Sequence, residues 1–147
     1  MTRDELEKVA VAAALNHGLD PALVCAVCAH ESDGWQQYAV RYEPGFYKKY
    51  IEPMMALTLT EKTMRATSFG LMQIMGETAR ELGFTGRFLT ELLDPINAVT
   101  YGCKKLKREL DKHQGDVNQA LLAYNGGGDS QYPNLVMAHY PTYAHLK

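Results

Sequence analysis

Apolar residues recur along this chain at intervals of three and four, and most of the runs they form begin at a recognisable cap. Leu6, Val9, Ala10 and Ala13 share one helical face, behind Thr2-x-x-Glu5 and ahead of Gly18. A capping box at one end and a glycine stop at the other predict a helix over about 3–17. Asp20 as N-cap and Pro21 at the first helical position open a second helix through Ala22–Ser32, which closes at Gly34. Asp94-Pro95 opens the clearest helix, because Ile96, Val99, Cys103, Leu106 and Leu110 form one stripe over four turns while lysines take the other face. Asp116-x-x-Gln119 caps another through Leu121 and Tyr124, which runs into Asn125 and three glycines. Pro133 starts a last one, to about His139.

Between these helices the pattern is less regular. From Trp35 to Phe69 it is broken by Pro44, Gly45 and Pro53, and it carries aromatics at Tyr38, Tyr42, Phe46, Tyr47 and Tyr50. Loop with helical pieces over 45–51 and about 60–66 is expected there, and a short helix Glu77–Leu82 after "GLMQIM". Strand signals are almost absent. The expected fold is mainly α, with little or no β structure, and one domain spans 1–147.

Composition narrows the function classes. A chain of 147 residues with 46% hydrophobic and 22% charged residues buries about 70% of its unfolded surface and has the make-up of an ordinary globule. A net charge of −2 leaves no footprint for nucleic acid, and Lys104, Lys105, Lys107 and Arg108 read as a solvated helix face. No apolar run reaches the ~18 residues of a membrane span, so membrane insertion is not expected. The N-terminus shows no secretion signal. Three cysteines, Cys25, Cys28 and Cys103, make no disulfide framework; Cys25-x-x-Cys28 near His30 reads as small core residues, and neither metal nor cofactor is expected.

The stretch "VCAVCAHESDGW", 24–35, carries the candidate chemistry. An apolar helix ends on Glu31, where a carboxylate meets the negative end of the helix dipole. Partial burial beside the apolar run adds desolvation. Both effects raise the pKa and suit a general acid. The bland alternative is a Glu31 that reaches solvent or pairs with Arg41 or Arg65.

Four blocks decide between them: "HES" at 30–32, "GLMQIMGETARELG" at 70–83, "LLDPINAVTYGCKKL" at 92–106 and "ALLAYNGG" at 120–127. In order and spacing they resemble the soluble lytic transglycosylase catalytic domain, related to goose-type lysozyme, over roughly 20–127. The resemblance implies a lysozyme-like helical domain with a substrate cleft. The implied reaction cuts the β-1,4 bond between N-acetylmuramic acid and N-acetylglucosamine in peptidoglycan. Glu31 matches the family's single catalytic acid, Ser32 the residue after it, and Gly70, Leu71, Met72 and Gln73 the strip lining the cleft. Tyr124 and Asn125 match the block facing Glu31, and the Tyr124 hydroxyl can bond Glu31 or an acetamido group. In that pattern Glu31 protonates the leaving oxygen, then takes the proton of the muramic C6 hydroxyl as it closes a 1,6-anhydro ring.

The chain also departs from the pattern. Gly76 stands where many members have proline, and "YNGGG" at 124–128 replaces "YNAG". An insertion at about 38–68 is longer and more aromatic than a minimal domain needs, with Tyr42 as a candidate sugar-stacking residue. It also holds Glu43. A second carboxylate facing Glu31 across about 6.5–9.5 Å would activate water and make the protein a hydrolytic muramidase; Glu43 paired with Arg41, Lys48 or Lys49 would leave the transglycosylase. A third reading keeps the cleft as a non-catalytic wall-binding module. The expected partner is the peptidoglycan strand, acted on by a monomer. The site of action is the wall, on the periplasmic or extracellular side, reached from the cytoplasm by another protein's route or as a phage-encoded enzyme.

Overall fold

The computed structural model describes residues 1–146. Helix α1 (Arg3–Asn16) starts at the expected capping box, with Thr2 Oγ1 accepting from Glu5 N and Glu5 Oε2 accepting from Thr2 N. Helix α2 (Pro21–Glu31) starts where Asp20 Oδ1 accepts from Ala22 N at 2.9 Å. Every residue of α2 from Pro21 to Ala29 is buried, as a helix apolar on all sides requires. It is the central rod of the main core, with α1 packed along it.

The end of α2 is fixed with unusual care. Ser32 Oγ donates to Cys28 O at 2.6 Å and accepts from Trp35 N at 2.9 Å, and Gly34 N donates to Ala29 O. Asp33, Gly34 and Trp35 all have positive φ, at 50°, 85° and 71°. For a bulky residue that conformation is strained by about 1–3 kcal/mol. Burial of the Trp35 ring and its Nε1–H bond to the Tyr143 hydroxyl, 2.8 Å, hold it there. The chain therefore turns away from the helix axis immediately after Glu31.

A three-stranded antiparallel sheet follows, in the order β1 (Val40–Tyr42), β2 (Thr67–Phe69), β3 (Ile74–Met75). Strands of two and three residues are too short to show alternation, so the sequence pattern does not reveal them. Between β1 and β2 the insertion forms α3 (Pro44–Phe46), a π-helical turn Tyr47–Ile51 and α4 (Leu59–Arg65). Helix α5 (Gly76–Glu81) and a 3-10 turn Leu89–Leu93 enclose a second core around Phe69, Ile74, Phe84 and Leu92. Arg80 ties the insertion to this core, donating to Glu61 and to the carbonyls of Phe84 and Gly86, while Arg65 pairs with Glu77.

Helix α6 (Pro95–Lys112) begins at Asp94, whose Oδ1 accepts from Ile96 N and Asn97 N. Its stripe is turned slightly from the expected one: Ala98, Val99, Gly102, Cys103, Leu106 and Glu109 are buried, and Ile96 is 64% exposed. Helix α7 (Val117–Tyr124) is capped by Asp116. The expected last helix is α8 (Tyr132–Met137), and a further short helix that the pattern does not reveal, α9 (Tyr140–Tyr143), follows it, since Pro141 cannot continue the hydrogen-bond ladder of α8. The fold is mainly α with one small sheet.

Candidate active site

A cleft of about 190 Å³ opens between the helices and the sheet. Its helical wall carries Glu31 from the end of α2, Lys105 from α6, and Tyr124 and Asn125 from the end of α7. The sheet wall follows from strand register. Arg41 pairs with Ser68 and Ser68 with Met75, so these three side chains form one row across β1, β2 and β3, and all three line the cleft. Their neighbours Val40, Phe69 and Ile74 form the adjacent row on the opposite face, with Phe69 and Ile74 in the second core. Glu43, just past β1, completes this wall.

Glu31 is half-buried at the edge of the main core, and desolvation raises its pKa above the ordinary carboxyl value. Smaller effects pull it back: a hydrogen bond from Tyr132, then the charges of His30, Lys105 and Arg41. The Tyr132 hydroxyl donates to Glu31 Oε1 at 2.5 Å. With Oε1 taken, the proton of the acid form belongs on Oε2. Glu31 pairs with neither Arg41 nor Arg65; Arg41 Nε sits 3.0 Å from Glu43 Oε1, and Arg65 is committed to Glu77.

Several expected site residues lie under the cleft and not on it. Ser32 is fully buried and holds the turn after α2. Leu71 and Met72 are fully buried core residues. Gly70, at φ 73°, is a glycine for packing: a Cβ there would sit 3.0 Å from Ala98 Cβ and 3.1 Å from Leu92 O. Tyr42 stands one residue from Arg41 on its strand, so it faces away from the cleft, 6.2 Å from the Tyr47 ring. Gln73 does line the cleft. Both its amide hydrogens are used, by Ala39 O at 3.1 Å and Gly70 O at 3.0 Å, so it offers the Oε1 acceptor.

The tyrosine assignment changes. Tyr124 lines the cleft, but it is only 3% exposed, and its hydroxyl donates to Met72 O at 2.6 Å and is not free for Glu31 or a sugar. Tyr132 bonds Glu31 instead. It lies beyond the four sequence blocks and is one of nine tyrosines, with no local signal that marks it. Lys105 is the other correction, since it is turned inward from the lysine-rich face into the cleft.

No group of three or more His, Cys, Asp or Glu side chains placed to hold a metal occurs among the described residues. Cys25 and Cys103 are buried thiols, each pushed up to about 12 by desolvation. No helix among the described residues is long and apolar enough to cross a membrane. What the cleft offers chemically is one carboxyl with a raised pKa, hydrogen-bonded to a neutral phenol and open on its other oxygen.

A family model described as the transglycosylase SLT domain matches residues 8–134. The transglycosylase of Enterobacteria phage PRD1 is 32% identical over 134 residues, 86% of this chain and 39% of that protein. The chain thus spans about two-fifths of the length of this curated relative. No solved structure matches it.

Proposed function

Because the chain belongs to the transglycosylase SLT-domain family, we propose that it is a peptidoglycan lytic transglycosylase with Glu31 as its acid and base. The observation that carries this reading is the Tyr132 hydroxyl donating to Glu31 Oε1 at 2.5 Å, in a cleft that raises the carboxyl's pKa. The substrate is the β-1,4 bond between N-acetylmuramic acid and N-acetylglucosamine. Glu31 Oε2 gives its proton to the glycosidic oxygen as the bond to C1 breaks, and the acetamido oxygen of the muramic residue steadies the cationic C1. The resulting carboxylate takes the proton of the C6 hydroxyl, whose oxygen closes onto C1. Glu31 ends protonated, no water is consumed, and the product carries a 1,6-anhydro ring.

The surroundings support each step. Gln73 Oε1 suits an acetamido N–H. Asn125, exposed at the cleft edge, supplies donor and acceptor together. A wall substrate implies action outside the cytoplasm, and phage origin fits the PRD1 relative. One protomer supplies every group named.

One observation favours a second reading. Glu43 lines the same cleft as Glu31, so a hydrolytic muramidase with Glu43 activating water remains the rival. Mass spectrometry of fragments released from purified sacculi decides. Products one water lighter than hydrolytic fragments are expected; reducing-end products would replace the transglycosylase by the muramidase, and binding without release would leave a wall-binding module.

A further inference from the structure

Helix α6 carries four cations within five residues, Lys104, Lys105, Lys107 and Arg108. Lys105 is the one whose side chain enters the cleft. It lies three residues after Gly102 and four before Glu109, both buried, at the inner edge of the helix. Its Nζ donates to the carbonyl oxygen of Tyr124 at 2.7 Å and lies 4.0 Å from the centroid of the Tyr124 ring. Tyr124 is the last residue of α7, so that carbonyl is one the helix leaves unpaired, at its negative end. A helix terminus and a π face together fix the ammonium at one place on the helical wall of the cleft.

Lys105 differs from the other cation of the cleft. Arg41 is ion-paired to Glu43, and its side chain is 75% exposed, so its field is locally cancelled and screened. Lys105 forms no ion pair among the described residues, and burial weakens the screening around it. The groups facing Glu31 are His30 on its own helix, Arg41 and Glu43 from the sheet wall, Tyr124 from α7, Tyr132 from α8 and Lys105 from α6. Those acting on Lys105 are Glu31, with Arg108 and Glu109 on its own helix.

We propose that Lys105 is a positioning residue for the proton of Glu31: a fixed cation that stabilises the carboxylate formed when Glu31 gives its proton away. The inference rests on the reading of Glu31 as the acid. Burial alone makes a carboxyl that keeps its proton but releases it reluctantly, and a single residue that is acid first and base second has to do both. A cation held near it, without touching it, lowers the free energy of the charged form while the apolar surroundings keep the resting acid populated. The same device has an upper pH limit. Desolvation brings Lys105 down to about 8, against the pull of Glu31, so the cation is present at neutral pH and fades in mild alkali.

The test is a carbon-13 NMR titration of the Glu31 carboxyl in the wild-type protein, Lys105→Met and Lys105→Arg, alongside turnover on purified sacculi. Lys105→Met is expected to move the Glu31 titration upward by about half a pH unit or more, and to lower kcat several-fold with KM little changed. Lys105→Arg is expected to restore most of both. In the wild-type protein the Glu31 signal should show a second inflection at about pH 8, as Lys105 loses its proton. A Glu31 titration that stays put in folded Lys105→Met overturns the proposal. If that variant does not fold, a wild-type signal with no second inflection overturns it. An inactive wild-type protein would instead remove the transglycosylase reading, while the titration still decides whether the two groups are coupled.

Discussion

The two walls of the cleft each present one carboxylate, and they hold it in opposite ways. On the helical wall Glu31 ends a helix buried from Pro21 to Ala29, with a neutral phenol as its hydrogen-bond partner and no ion pair. On the sheet wall Glu43 follows an exposed edge strand and is paired with Arg41, the two side chains 34% and 75% exposed. A neutral donor and burial leave a carboxyl free to carry a proton. A guanidinium is a partner for the charged form alone. The same functional group is prepared for two tasks by what surrounds it, and only the helical wall prepares a proton donor.

The sharpest way to break this contrast is Glu31→Gln. Glutamine keeps the shape and loses the transferable proton, so release of wall fragments should fall about a hundredfold or more while binding to sacculi persists. A stability effect of known sign accompanies it. The folded-state pKa of Glu31 is raised, so the native protein binds a proton that the unfolded chain gives up in the window between the ordinary carboxyl pKa and the raised one. Wild-type stability therefore falls as pH rises through that window, and Gln at 31 does not share the loss. Thermal melts should find Glu31→Gln more stable than wild type at about pH 8, with the gap shrinking toward about pH 4. Identical pH dependence in both proteins would mean that Glu31 is not desolvated.

Tyr132→Phe tests the partner at an intermediate effect. The ring stays and the donor goes. That hydrogen bond favours the carboxylate, so its loss should raise the pKa of Glu31 further, carry the alkaline limb of the rate profile to higher pH, and slow turnover at neutral pH about tenfold. Tyr124→Phe is the matched control, because its hydroxyl serves Met72 O. It should lower stability by about 1 kcal/mol and leave the alkaline limb in place.

What could be read from the chain and what could not divide along sequence separation. Thr2, Asp20, Asp94 and Asp116 announce their helices because a cap is a contact between near neighbours, and each makes its hydrogen bond as expected. The place of Glu31 at the end of an apolar run is local in the same way, whereas its candidate role comes only from four blocks spread over about a hundred positions. Tyr132 reaches Glu31 across 101 positions of the chain, and no local pattern marks that contact. Lys105 reads as part of a solvated face because helical spacing puts it at the margin of the stripe, and the neighbouring α7 decides which way it turns. Leu71 and Met72 belong to the right block, yet that block works from below: its Met72 carbonyl anchors Tyr124, and Gln73 alone in the strip from Gly70 lines the cleft.

The smallest expected effect tests the sheet wall. An exposed ion pair contributes about 0–1 kcal/mol, so Glu43→Gln should shift the melting temperature by only a few degrees at most. If Glu43 serves only as the partner of Arg41, release of wall fragments should change less than about threefold, well below the effect of removing a general acid or base, and the fragments should remain anhydro. A water-activating Glu43 predicts the reverse: a loss comparable to that of Glu31→Gln, in a protein whose wild-type products end in reducing sugars. That outcome would erase the contrast between the walls, because it would require the Arg41 pair to open during turnover and Glu43 to accept a proton from water across the cleft from Glu31.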